Sequence, residues 1–166
     1  MTANIFDEID PSGKYLNFVR KFYRYSKYRE TCEVPENNIL YIYGYGCNGK
    51  TILFNCIGKS FDNQVGIIGY NELTRMSTHI TANLTNTKHF LIKICYDNNS
   101  SKIIENAKKF LHIGFIIESN MDPDDNMRES AIIVRTPNKF KSAPFDYSKR
   151  VEEVKNAICG LPKLMD

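Results

Sequence analysis

A short apolar run, Ile39-Leu40-Tyr41-Ile42-Tyr43, passes directly into Gly44-Tyr45-Gly46-Cys47-Asn48-Gly49-Lys50-Thr51, a G-x-x-x-x-G-K-T pattern. These residue types at this spacing suit a phosphate-binding loop. Gly44, Gly46 and Gly49 let the backbone curl until successive N–H groups face one anion. Lys50 reaches the β- and γ-phosphates of a nucleotide, and the Thr51 hydroxyl can hold Mg²⁺. The following Ile52-Leu53-Phe54-Asn55-Cys56-Ile57 is compatible with a helix, so the phosphates would also meet a helix N-terminus. The competing reading is a Gly-rich turn that binds nothing.

A phosphate loop signifies nucleotide binding, and turnover needs more. Phosphoryl transfer is mostly positioning and charge neutralisation, which calls for a carboxylate near Mg²⁺ and a group that places the attacking water. Asp97, closing the apolar run 89–97, is the candidate metal acid, although Asp97-Asn98-Asn99-Ser100 also reads as a turn. Asn120 follows Phe115-Ile116-Ile117 and precedes Met121-Asp122-Pro123. An amide at the mouth of a central strand can bond a γ-phosphate or its water, and the plainer alternative is an Asx-turn before the proline.

The elements that must position these groups follow from periodicity. A basic, amphipathic helix is expected over about 13–29, after a polar lead-in of ten residues. Strands are expected at 39–43, 65–70, 89–97, 114–120 and 130–134. Helices are expected from the loop to about Gly58, and over 72–87, 100–112 and 147–159. Alternating strands and helices predict an α/β fold, a three-layer sandwich with a mostly parallel central sheet and its ligand at the C-terminal strand ends. At 166 residues the chain reads as one compact domain, with 1–38 leading into a phosphate-loop unit over 39–166.

Composition narrows the class. Hydrophobic content of 42% and charged content of 25% are ordinary for a globular protein. No apolar run approaches the ~18 residues of a membrane helix. The acidic start lacks the order of a secretory signal. An intracellular setting without membrane contact is expected. Five scattered cysteines with no C-x-x-C pair disfavour disulfide and zinc frameworks.

A net charge of +3 does not by itself imply nucleic acid, but its distribution is uneven. Lys14, Arg20, Lys21, Arg24, Lys27 and Arg29 interleave with Tyr15, Phe18, Phe22, Tyr23, Tyr25 and Tyr28. Such a stripe can track a phosphate backbone and stack bases. Equally, the aromatics can pack a core while the cations are solvated.

Taken in order, four features resemble a superfamily 3 helicase-like P-loop ATPase of DNA viruses. They are the G-x-x-x-x-G-K-T loop, the strand closing on Asp97, Ile116-Ile117-Glu118-Ser119-Asn120-Met121-Asp122-Pro123, and the strand Ala131-Ile132-Ile133-Val134-Arg135 with its P-x-x-F turn. The match covers about 38–140. The resemblance implies an AAA+-like fold, ATP and Mg²⁺ as cofactors, a ring of six subunits, viral replication proteins as partners, and work on nucleic acid, DNA ahead of RNA. It assigns phosphate binding to Lys50 and the loop, the metal to Thr51 and Asp97, a sensor role to Asn120, and a neighbour-reaching arginine to Arg128 or Arg135.

The chain departs from that family where Asn98 follows Asp97 in place of paired acids, which leaves Glu118 as a substitute base or a plain strand-end acid. The segment from Asp97 to Asn120 is also short for a DNA-engaging hairpin. A degenerate nucleotide-binding or assembly protein is therefore the second reading. A small nucleotide kinase is the third, without the Arg-rich lid such an enzyme needs.

Overall fold

The computed structural model describes residues 5–44, 49–95, 100–136 and 147–160. In chain order the elements are α1 (Ile5–Ile9), α2 (Lys14–Lys27), β1 (Ile39–Tyr43), α3 (Lys50–Ser60), a 3-10 turn (Asp62–Gln64), β2 (Val65–Gly69), α4 (Tyr70–Arg75), α5 (Thr78–Thr85), β3 (Leu91–Cys95), α6 (Ser100–Ala107), β4 (Gly114–Ser119), α7 (Asp125–Ser130), β5 (Ile132–Arg135) and α8 (Tyr147–Cys159). The five strands form one sheet in the order β2-β3-β4-β1-β5, and every pairing is parallel.

Continuous apolar strands explain this architecture, because a parallel sheet is covered on both faces and needs side chains that are buried whichever way they point. Leu40 and Ile42 of β1 and Ile116 of β4 pack with α1, α2, α3 and α8. Ile39, Tyr41, Phe115 and Ile117 face the opposite way, onto Leu73 of α4, Leu84 of α5, Ile103 and Ala107 of α6, and Met127 of α7. The result is the expected three-layer α/β sandwich, with a sheet that is parallel throughout.

Several local expectations are corrected. The polar lead-in contains α1, whose Ile5, Phe6 and Ile9 are fully buried. Its Glu8 pairs with Arg150 of α8 at 2.8 Å. The span 72–87 is two helices, since α4 ends in the left-handed conformation of Met76 (φ 48°) and Ser77 starts α5 by accepting from the Ile80 N–H at 3.2 Å. The helix expected to reach residue 112 stops at Ala107, where the Asn38 side chain donates to the carbonyls of Ala107 (2.8 Å) and Phe110 (3.0 Å). That amide takes up carbonyls a helix end leaves unbonded. The fifth strand begins later than expected, at Ile132, because Asp124 caps the short α7 by accepting from the Met127 N–H at 2.8 Å.

The aromatic stripe of α2 belongs largely to the core. Tyr15, Phe18 and Phe22 are buried, and Arg20 donates to the Ala157 carbonyl of α8 at 2.8 Å. Lys14, Lys21, Lys27 and Arg29 remain exposed. Among the described residues no helix is long and apolar enough to cross a membrane.

Candidate functional site

From the C-terminal end of β1 the chain passes to α3 on one face of the sheet, while adjacent β4 leads to α7 on the other. Where neighbouring strands part in this way a crevice opens above the strand ends. Its first wall is fixed by backbone, because the Gly44 N–H donates to the Ser119 carbonyl at 3.2 Å. Its second is the start of α3, where Gly49 adopts φ 83° and precedes the helix. Glycine is suited to that left-handed conformation because a Cβ is disfavoured there.

Lys50 opens α3 with a buried side chain, 7% exposed. Its ammonium donates to the Gly44 carbonyl at 3.0 Å and to Asn120 Oδ1 at 3.3 Å. The lysine thus spans the loop from its end to its beginning and reaches the tip of β4. Burial lowers its pKa, and the nearby Glu118 carboxylate opposes that shift. The turn carrying Asn120 is held at both ends. The Met121 N–H donates to the Ser119 hydroxyl at 3.0 Å, and the Tyr41 hydroxyl donates to the Met121 carbonyl at 2.8 Å.

Beside this pair lies a carboxylate cluster. The Thr51 hydroxyl donates to Glu118 Oε1 at 3.2 Å, and Lys93 Nζ meets the same oxygen at 3.3 Å. The Lys93 ammonium also stands 5.3 Å from the centre of the Phe54 ring. Glu118 Oε2 is buried and has no hydrogen-bond partner among the described residues. An open groove of about 710 Å³ borders the cluster, with Tyr70, Glu72, Lys93, Cys95 and Glu118 on its walls.

No family model and no curated protein matches the sequence. Solved structures do match. PCH-2 from C. elegans aligns at 13% identity over 78% of this chain and 43% of its own, with a TM-score of 0.52. An apo structure of the NrS-1 C-terminal region aligns at 14% identity over 92% of this chain and 41% of its own, with a TM-score of 0.56. This chain has a P-loop, AAA+-type α/β fold. It spans about two fifths of the length of these two chains, and at such identities the likeness is one of fold.

Around the P-loop, the structure brings Gly44, Gly49, Lys50, Thr51, Glu118 and Asn120 together. Tyr45, Gly46, Cys47, Asn48 and Asp97 lie outside the described residues. Arg128 sits on α7 and Arg135 ends β5 opposite Tyr43. Both are exposed.

Lys93 is the residue that sequence reading missed. Its signal was present: one cation inside Leu91-Ile92-Lys93-Ile94, an interior parallel strand, needs an opposite charge nearby.

Proposed function

We propose that this chain binds and hydrolyses ATP as a superfamily 3 helicase-like domain acting on nucleic acid in viral replication, inside the host cell. The observation that carries the reading is the bridge from Lys50 to both Gly44 and Asn120. It preforms a cationic centre where the terminal phosphates of a nucleotide lie over the loop. Lys50 neutralises those phosphates with the amides of residues 44–51, including Tyr45, Gly46, Cys47 and Asn48. Asn120 orients the attacking water. Thr51 and Asp97 would hold Mg²⁺, which would supply charge neutralisation for the phosphates.

The donor set fits such an ion. The Thr51 hydroxyl and a buried, unpartnered carboxylate oxygen of Glu118 are hard oxygen ligands of the kind Mg²⁺ takes through a few contacts. In this reading Glu118 is the substitute base that acts on water at the γ-phosphate. In a ring of six subunits Arg128 or Arg135, both exposed, reaches a neighbour's phosphate. The solvated cations of α2 offer a nucleic-acid face, for DNA ahead of RNA.

The test is ATP turnover by the purified chain with and without single-stranded DNA, beside Lys50→Ala and a mass measurement. DNA-stimulated turnover by a hexamer that Lys50→Ala abolishes supports the reading. Binding without turnover in a monomer supports a nucleotide-holding assembly partner instead. Neutralisation of Glu118 by Lys93 favours that second reading.

A further inference from the structure

Lys93 stands opposite Ile116 in the β3–β4 register. Glu118 lies two residues further along β4, so it emerges on the same sheet face, one step nearer the P-loop. The pair is well shielded, with side chains 16% and 11% exposed. A buried carboxylate has two oxygens and about four acceptor positions. Here Oε1 takes both Thr51 and Lys93, while Oε2 takes no partner among the described residues. The lysine on Oε1 and a divalent cation held between Thr51 and Oε2 draw on the same single negative charge, so each weakens the other's hold on the carboxylate. Lys93 also borders the groove, and its flexible four-carbon stem can carry the ammonium there without backbone movement.

The geometry points to Lys93 as a resident counter-ion that holds the Glu118 carboxylate beside Thr51 in the nucleotide-free chain and releases it to the divalent cation arriving with nucleotide. Lys93 is then a positioning residue that sets metal affinity, acting through Glu118. The inference rests on the nucleotide reading above.

The test measures the affinity of the full chain for a fluorescent ADP with Mg²⁺ and with EDTA, and takes the ratio as the metal enhancement. Lys93→Met should raise the enhancement about tenfold, the lower end of what groups behind a metal's ligands contribute. Lys93→Arg should reduce it, because the guanidinium fork grips a carboxylate with two bonds. In a Glu118→Gln background the Lys93→Met effect should vanish. Affinity in EDTA should change little in each Lys93 variant, which also reports that the variant is folded.

Equal enhancement in the unaltered chain, Lys93→Met and Lys93→Arg overturns the inference and leaves the nucleotide reading intact. A Lys93→Met gain that persists in the Glu118→Gln background overturns it as well. Failure of the unaltered chain to bind ADP in either condition overturns both.

Discussion

Lys50 Nζ and Asn120 Oδ1 are 3.3 Å apart, which ties the first residue of α3 to the turn beyond β4. One side chain belongs to the loop that would cradle phosphate, and the other to the strand that would present water to it. Because Tyr41 and Ser119 brace the turn from below, Asn120 is held in place before any ligand arrives. Such preorganisation lets a polar group act without reorganising during reaction.

Replacement of Asn120 by Ala should therefore lower kcat for ATP by about 10²-fold, the effect of removing one aligned polar group. ADP affinity should stay near that of the unaltered chain. Steady-state turnover and equilibrium titration read the two quantities separately, and a loss confined to affinity would contradict the water-placing role.

Gly114 provides a test of how α2 lies on the sheet. A Cβ built there would stand 2.8 Å from the Phe22 ring and 3.0 Å from Phe18. Gly114→Ala should destabilise the chain by about 1–3 kcal/mol through overpacking, read as a lower urea midpoint with unchanged slope. An unaffected midpoint would mean that α2 sits further from β4.

The two sides of α2 should separate cleanly. Phe18→Ala should destabilise by about 3–5 kcal/mol as a core truncation. Lys21→Glu and Lys27→Glu should leave stability within about 0.5 kcal/mol while weakening single-stranded DNA binding and flattening its salt dependence. Calorimetric melting and fluorescence anisotropy at two salt concentrations are the measurements. A DNA affinity indifferent to both charge reversals would remove α2 from the nucleic-acid face.

Acidification should destabilise the fold. Burial lowers the pKa of His89. It also lowers that of His112, where the Leu84 carbonyl opposes the shift and Arg29 adds to it. The folded chain therefore binds fewer of these protons than the unfolded chain once the pH falls below the ordinary histidine value of about 6.5. Stability rises with pH wherever the unfolded state holds more protons. It should be flat for these groups above about 6.5 and fall through their depressed pKa values below it. Urea midpoints at closely spaced pH values around that point check the sign, and His112→Gln should reduce the drop. A midpoint that rises on acidification would contradict it.

How much was legible in the sequence varied with the physics of each part. The parallel sheet was readable because strands buried on both faces leave unbroken apolar runs such as Ile39–Ile42 and Phe115–Ile117. The helix start at Gly49 and Lys50 was readable because a left-handed glycine and a buried lysine serve backbone geometry and charge that few other residues supply. Short helices were not, since α1 and α7 hold too few turns to show a period and are fixed by tertiary contacts, Ile5 and Phe6 in one case and Met127 in the other. The break at Met76 was hidden as well, because a non-glycine residue at φ 48° carries no compositional mark. The pairing of Lys93 with Glu118 joins residues 25 apart in sequence, and only the β3–β4 register brings them together.

The most direct test of the account is calorimetric titration of the chain with Mg·ATP beside Lys50→Ala. The account predicts saturable binding that weakens by at least about tenfold in the variant, in line with the loss of charge-assisted hydrogen bonds. An unaltered chain that gives no binding heat across titrations at two temperatures, or a Lys50→Ala chain that binds as tightly, would contradict it.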